Sequence, residues 1–297
     1  MSAEKGSRSV GMMRRLPGAP RSSLYGWPRR ADPPGRDARA PLRAEAERPW
    51  LSSERRRGAR TIRSRLDGPF AGATLYRARK RMREPGMHGI RPRASRRTTV
   101  ADPDAPARPD PIRRDFAGPV PAIRLVGDIT YLRTGQRWPC MAAVIDLCTR
   151  MVAGMAFSER MTADLPVAAP ESAWGRGYVA LGAVLHSDRG SRCTSKAMAE
   201  RAAAHDVRLS VGRTGSCHDN AVAGSFFGTF KNEMYRLRNF ATREEARIAS
   251  VEYVEGCYNR RRPHSTIDYR IPAEVMGAFF ERMDAMVARE EALPLAA

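Results

Sequence analysis

The sequence predicts an α/β protein, a mixed β-sheet flanked by helices and preceded by a basic helical segment. Three observations carry this expectation. Strand-like runs at 124–132, 138–146 and 150–157 follow one another with only Thr134-Gly135 and Cys148-Thr149 marking the breaks, and connections that short favour an antiparallel meander. Helix-like and strand-like segments then alternate, a pattern that lays helices on the faces of a sheet. Positive charge gathers upstream: residues 1–100 carry 26 Lys and Arg against 8 Asp and Glu, and the remainder carries 26 against 24.

The 297 residues, 42% of them hydrophobic, suffice for one large or two smaller domains with a genuine core. A net charge of +20 points to a polyanionic partner, nucleic acid first, rather than to a small-molecule enzyme. Only Lys5, Lys80, Lys196 and Lys231 are lysines, so the arginine bias also fits genomic base composition. The five cysteines are odd in number and form no Cys-x-x-Cys pair. Neither a zinc site nor a disulfide framework follows, and a reducing cytoplasm is the expected location. No run resembles a signal peptide or reaches the roughly 18 apolar residues of a membrane span, so no membrane association is expected.

Taken in order, residues 1–54 read as a basic, poorly ordered segment with a short helix near 40–48. Residues 55–97 read as two short basic helices joined by a turn at Gly68-Pro69, with Ile62 and Leu66 at i, i+4 spacing. The second helix carries Arg77, Arg79, Lys80, Arg81 and Arg83, a density suited to phosphate contacts and equally to a solvated face. Six prolines between 98 and 121 mark an extended linker. The core is expected over 122–280, continuing after the meander with a helix at 160–174 and a buried strand at 179–187. A helix at 195–205, a strand at 207–211 and a helix at 220–236 follow, and 281–297 reads as a helical tail.

Two aspartates stand at strand-like positions: Asp128 in Gly127-Asp128-Ile129-Thr130-Tyr131, and Asp188 in His186-Ser187-Asp188-Arg189-Gly190. Phosphodiester chemistry is served by two divalent ions about 4 Å apart. Hard ions such as Mg²⁺ take oxygen ligands, so carboxylates must converge from separate elements. Each aspartate alone could equally end an apolar run or begin a turn. On the helix at 220–236, Asn220, Gly224 and Lys231 share one stripe, while Ala223, Phe226, Phe230 and Met234 share another that should pack inward.

These strings, with Asp219-Asn220-Ala221 followed by Gly224-Ser225-Phe226-Phe227, and Tyr258-Asn259-Arg260-Arg261-Arg262-Pro263-His264-Ser265 further on, strongly resemble the integrase-core transposases of bacterial insertion sequences, within the retroviral-integrase superfamily. The resemblance runs over about residues 55–276, with Gly58 to Arg93 similar to the helical DNA-binding segment that precedes the core. It implies a ribonuclease H-like fold, DNA strand cleavage and strand transfer, Mg²⁺ or Mn²⁺ bound as two ions, and a catalytic Asp, Asp, Glu set. Asp128 and Asp188 match the first two members. The family's glutamate follows the second aspartate after 35 residues, and here that position is Gly224. The resemblance also implies that Lys231 meets a DNA phosphate. It further implies that the chain acts with the helix-turn-helix product of an upstream reading frame and assembles as a homo-oligomer on element ends and target DNA.

Glu233 lies nine residues beyond Gly224, about half a turn round the helix, and is expected to face away. Asp219 falls near the helix start, where capping is the ordinary role. Pro166 and Pro170 interrupt a family helix, and Leu125 replaces a typical Trp. With Gly224, these departures indicate a decayed or misassembled copy, active at best weakly. The competing class is a DNA-binding remnant serving as scaffold or inhibitor, and a simple nuclease is the third. His186 reads as a hydrogen-bonded core residue, Asp146 as a turn or salt-bridge residue, and the run 260–264 as solvated or touching DNA backbone.

Overall fold

The structure, a computed structural model, describes residues 40–90, 118–162, 164–187, 195–211 and 221–291. The chain divides into two compact units, the first ending at Gly89. Expectations on Asp188, Asp219, Asn220 and most of the proline-rich linker lie outside the described residues.

The first unit holds α1 (Ala40–Ser52), α2 (Ala59–Arg63) and α3 (Leu75–Arg83), with a 3₁₀ turn at Gly68–Phe70 between the last two. The helix expected near 40–48 extends to Ser52 and belongs to this packing. Leu42 and Ala46 share a buried cluster with Ala78, Met82 and the expected i, i+4 pair Ile62 and Leu66. Thr74 caps α3 by accepting from the Arg77 N–H at 3.3 Å. Its side chains outside the cluster include exposed Arg77, Arg79, Lys80 and Arg83.

The second unit is built on a five-stranded sheet: β1 (Arg124–Tyr131), β2 (Cys140–Asp146), β3 (Val152–Ser158), β4 (Val184–Ser187) and β5 (Arg208–Val211), ordered β3-β2-β1-β4-β5. The meander β1-β2-β3 is antiparallel, and β4 and β5 join parallel to β1. Parallel pairing requires crossovers, which α4 (Leu165–Gly175) and α5 (Lys196–Ala204) provide. This is the mixed, helix-flanked sheet of a ribonuclease H-like core. The expected strand at 179–187 shortens to four residues because the chain turns at Gly182, whose φ is +73°.

Every residue of β2 is buried, as befits a strand covered on both faces. Along β1 the pleat sends alternate residues to opposite faces. Leu125 joins Ala142, Val144, Ala169 and Met198 under α4 and α5. Val126 joins Met141, Ala143, Phe226 and Phe230 under α6 (Ala221–Glu233). The prolines in α4 do not abolish it: Pro166 sits in the first turn, where no N–H is needed, and Pro170 is accommodated inside. A close backbone approach explains Gly154 on β3. A Cβ there would collide with the carbonyl of Ala169 and lie 2.6 Å from the Ala173 nitrogen.

Past α6, α7 (Arg243–Val251) begins with a capping box between Thr242 and Glu245. It runs directly into a π-helical stretch, Glu252–Tyr258, and a last helical turn, Asn259–Arg261. Helix α8 (Pro272–Glu291) follows and continues unbroken across residue 280, where a separate tail was expected to start.

Candidate active site

Asp128 occupies the strand bonded on both sides, opposite Ala143 of β2. On the other side Gly127 pairs with Ser187, so the residues that precede Asp128 and Asp188 in sequence are neighbours. The pleat gives Asp128 the face of Val126, toward α6. The carboxylate is half-buried, and its Oδ1 accepts from the Ile129 N–H at 2.8 Å.

Helix α6 is oriented by its inward stripe, since Ala223, Phe226, Phe230 and the following Met234 are all buried. That leaves Gly224 exposed, and a Cβ at this position would meet nothing within 4 Å. Lys231, two turns on, is half-buried. Burial and the neighbouring Arg236 lower its pKa from the ordinary lysine value, while Asp128 acts in the opposite sense. Lys231 therefore lies within electrostatic reach of Asp128.

Glu233 does face away. It accepts from Arg262 Nη2 at 2.8 Å, from Arg262 Nε at 3.1 Å and from the Tyr253 hydroxyl at 2.8 Å. Burial alone would lower the Arg262 pKa, and the hydrogen-bonded carboxylate more than offsets this, leaving it raised. With its oxygens committed in this way, Glu233 does not stand in for a carboxylate at position 224.

The run 258–264 works largely as structure. Tyr258 packs edge-on against Phe226 with centroids 4.9 Å apart. The Asn259 amide pairs with Val152, accepting from its N–H at 2.9 Å and donating to its carbonyl at 3.0 Å. Arg262 holds Glu233, and His264 Nδ1 lies 2.9 Å from the Thr266 hydroxyl. Sequence reasoning missed the Glu233–Arg262 pair. Arg262 stands in one of the strings that carried the family resemblance, but no sequence signal linked it to Glu233.

His186 is buried with Nδ1 2.8 Å from Ser210 Oγ, a core residue as expected. Asp146, also buried, organises the β2–β3 turn: it accepts from the N–H groups of Ala122, Cys148 and Thr149 and from the Thr149 hydroxyl, at 2.6–3.1 Å. Burial raises its pKa, with those bonds acting against the rise. In the first unit Arg81 differs from its basic neighbours, since Glu84 accepts from its Nη1 at 2.5 Å.

Of the expected metal ligands, Asp188 lies outside the described residues. Asp128 offers the hard oxygens a divalent ion takes, position 224 offers no side-chain atom, and no group of three His, Cys, Asp or Glu able to hold a metal occurs among the described residues. No described helix is long and apolar enough to cross a membrane.

Integrase core domain models match residues 119–217 and 205–272. The chain is similar to the transposase InsF of insertion sequence IS3A from Escherichia coli K12, at 34% identity over 222 residues, covering 73% of this chain and 75% of the relative. It is also similar to an uncharacterized 31 kDa protein of insertion element IS600 from Shigella sonnei, at 31% identity over 274 residues, 91% of this chain and 98% of the relative. Among solved structures, the HTLV-2 integrase catalytic core in complex with magnesium aligns over 53% of this chain and 98% of its own, with a TM-score of 0.41 and 15% identity. The motifs, the strand order and the matches along most of the chain agree, and the protein belongs to the integrase-core transposases of bacterial insertion sequences.

Proposed function

We propose that this member of the family engages DNA as a transposase does but is impaired in strand cleavage and strand transfer because Gly224 stands where the third catalytic carboxylate belongs. The observation that carries this reading is the environment of Gly224: an exposed helical position with open space beyond its Cα, and a nearest helical carboxylate, Glu233, tied to Arg262 and Tyr253.

Asp128 and Asp188 would hold the Mg²⁺ or Mn²⁺ ions. When bound, such ions polarise the phosphodiester and favour ionisation of the attacking hydroxyl or water. The chain's own residues do the rest. Asp128 is fixed on a strand that cannot shift without breaking two ladders, and Lys231 supplies positive charge beside it for a DNA phosphate. Arg77, Arg79, Lys80 and Arg83 present an exposed basic face to the backbone of element DNA. Arg81 contributes less, because Glu84 already neutralises it. Assembly as a homo-oligomer on DNA, with the helix-turn-helix product of the upstream frame as partner, completes the reading.

The same observation favours a second role, a DNA-binding scaffold or inhibitor that occupies element ends without processing them. The test is metal-dependent cleavage and transfer on DNA bearing the native element's ends, with the native protein and Gly224→Glu side by side. Reaction by the variant alone supports an impaired transposase. Reaction by the native protein that vanishes on Asp188→Ala overturns the impairment.

A further inference from the structure

The last helix carries an apolar stripe that the described residues cover only at one end. Met276, Phe279, Phe280, Met283, Met286 and Val287 recur at spacings of three and four along α8, which gathers them on one face. Met276 is buried, and the Phe280 ring lies against Tyr178 with centroids 6.2 Å apart. Beyond that point every residue from Glu281 to Arg289 is exposed, Met283 at 42%, Met286 at 64% and Val287 at 50%.

The outer turns of α8 take their nucleus from the anchored half but gain no packing from the described residues. Most helical stability in proteins comes from packing an amphipathic face, and a stripe at three- and four-residue spacing is the seam that one helix presents to another. Methionine suits such a seam because its unbranched side chain adapts to the surface it meets.

Charge decides what kind of partner fits. Residues 281–291 hold four Asp and Glu against two Arg, in a chain whose net charge is +20, so this segment does not suit DNA. At about 100° per residue, Arg282 and Arg289 fall on one flank of the stripe and Asp284 on the other. When two copies pair about a two-fold axis with these helices antiparallel, each flank meets itself, Arg against Arg and Asp against Asp. When the helices run parallel, each flank meets the other, and Arg282 of one copy comes within a rise of about 3 Å of the partner's Asp284. The stripe is therefore self-complementary in one orientation.

We propose that two copies of this chain pair their α8 helices in parallel, with Met283, Met286 and Val287 of each in the seam and Arg282 of each beside the partner's Asp284. The assignment rests on the homo-oligomer reading above and names a surface for it. The seam is smaller than a standard interface of about 1,200–2,000 Å², so the pairing is weak in free solution and strengthens when one DNA holds two chains close together. Exposed ion pairs add little affinity, and here they set the orientation.

Sedimentation of the full chain, free and bound to a duplex of terminal element sequence, reads the association. Met283→Lys should weaken it at least tenfold, since a charge then enters the seam from both copies, with the melting temperature unchanged because the position is exposed. Arg282→Glu and Asp284→Arg should each weaken it about threefold, and mixing the two variants, or joining both changes in one chain, should restore it. On oxidation Met283→Cys should give more disulfide-linked dimer than the native chain, and Ala285→Cys, on the opposite side of the helix, should not. Self-association that survives Met283→Lys overturns the assignment while the homo-oligomer reading stands, and so does a loss in the charge variants that mixing fails to restore. Loss of binding to the upstream-frame product in Met283→Lys, with self-association intact, makes the face a docking site for that product and overturns the assignment too. A native chain that stays monomeric both free and on DNA overturns the homo-oligomer reading and this assignment together.

Discussion

Replacing Gly224 by Glu should leave the fold unharmed and restore chemistry. The position is exposed, it lies inside α6, and a new Cβ would meet nothing within 4 Å. Removing a glycine from a helix interior is favourable by about 0.5–1 kcal/mol. For a unit of this size that raises the melting temperature by about 1–4 °C, less whatever repulsion the new carboxylate feels from Asp128 before an ion is bound. On the catalytic side, a metal-ligating carboxylate with a share of about 3–4 kcal/mol in transition-state stabilisation corresponds to about 10²–10³ in rate. The assay is cleavage and strand transfer of labelled element ends in Mg²⁺ or Mn²⁺, with melting curves and Mn²⁺ titration calorimetry on both proteins. The variant should melt no lower than the native protein, bind Mn²⁺ more tightly and react at least a hundredfold faster. Equal rates for the two proteins, both abolished by Asp188→Ala, would refute the reasoning, and a lower melting temperature would refute the open-space premise.

Three further outcomes follow from the packing and charge of the second unit. Glu233→Gln strips the half-buried Arg262 of its counter-charge and should destabilise by about 1–3 kcal/mol, whereas Glu233→Met with Arg262→Met should recover most of that loss; chemical denaturation of the three proteins decides. Gly154→Ala drives a methyl into the backbone of α4 at Ala169 and Ala173 and should cost about 1–3 kcal/mol, read as a lower denaturation midpoint. His264 is held down to about 4, chiefly by burial and then by Arg262 and Arg150. Its neutral form is the folded one, so its contribution to stability is complete above the ordinary histidine range near 6.5 and drains away as pH falls toward 4. Melting temperature against pH should therefore fall more steeply over that window for the native protein than for His264→Asn, and parallel curves would dismiss the effect.

Much of the core was legible because local pattern dictates it. Strand-like composition and the breaks at Thr134-Gly135 and Cys148-Thr149 placed β1 to β3 to within about two residues at either end, and the Ala223, Phe226, Phe230 and Met234 stripe set the inward face of α6 correctly. Parallel pairing of β4 to β1 was not readable, since a four-residue buried strand carries no register signal and its partner lies far away in sequence. The early start assigned to that strand failed because Val179 and Ala180 look extended by composition while Gly182 turns the chain. Pro170 suggested a broken helix, yet packing of Ala169 and Ala173 on the sheet holds α4 together. On the site, it was the family resemblance that pointed to Asp128 and position 224. The Glu233–Arg262–Tyr253 cluster was not legible, because neither periodicity nor composition links residues 29 apart.

The open space beyond Gly224 has a genetic consequence. A glycine that disturbs no packing costs a helix only about 0.5–1 kcal/mol, too little to stop the chain from folding. The route back is short. Changing the middle base of any glycine codon gives aspartate or glutamate, so a single transition in this gene places a carboxylate at the vacant position, with the surrounding scaffold already in its final shape.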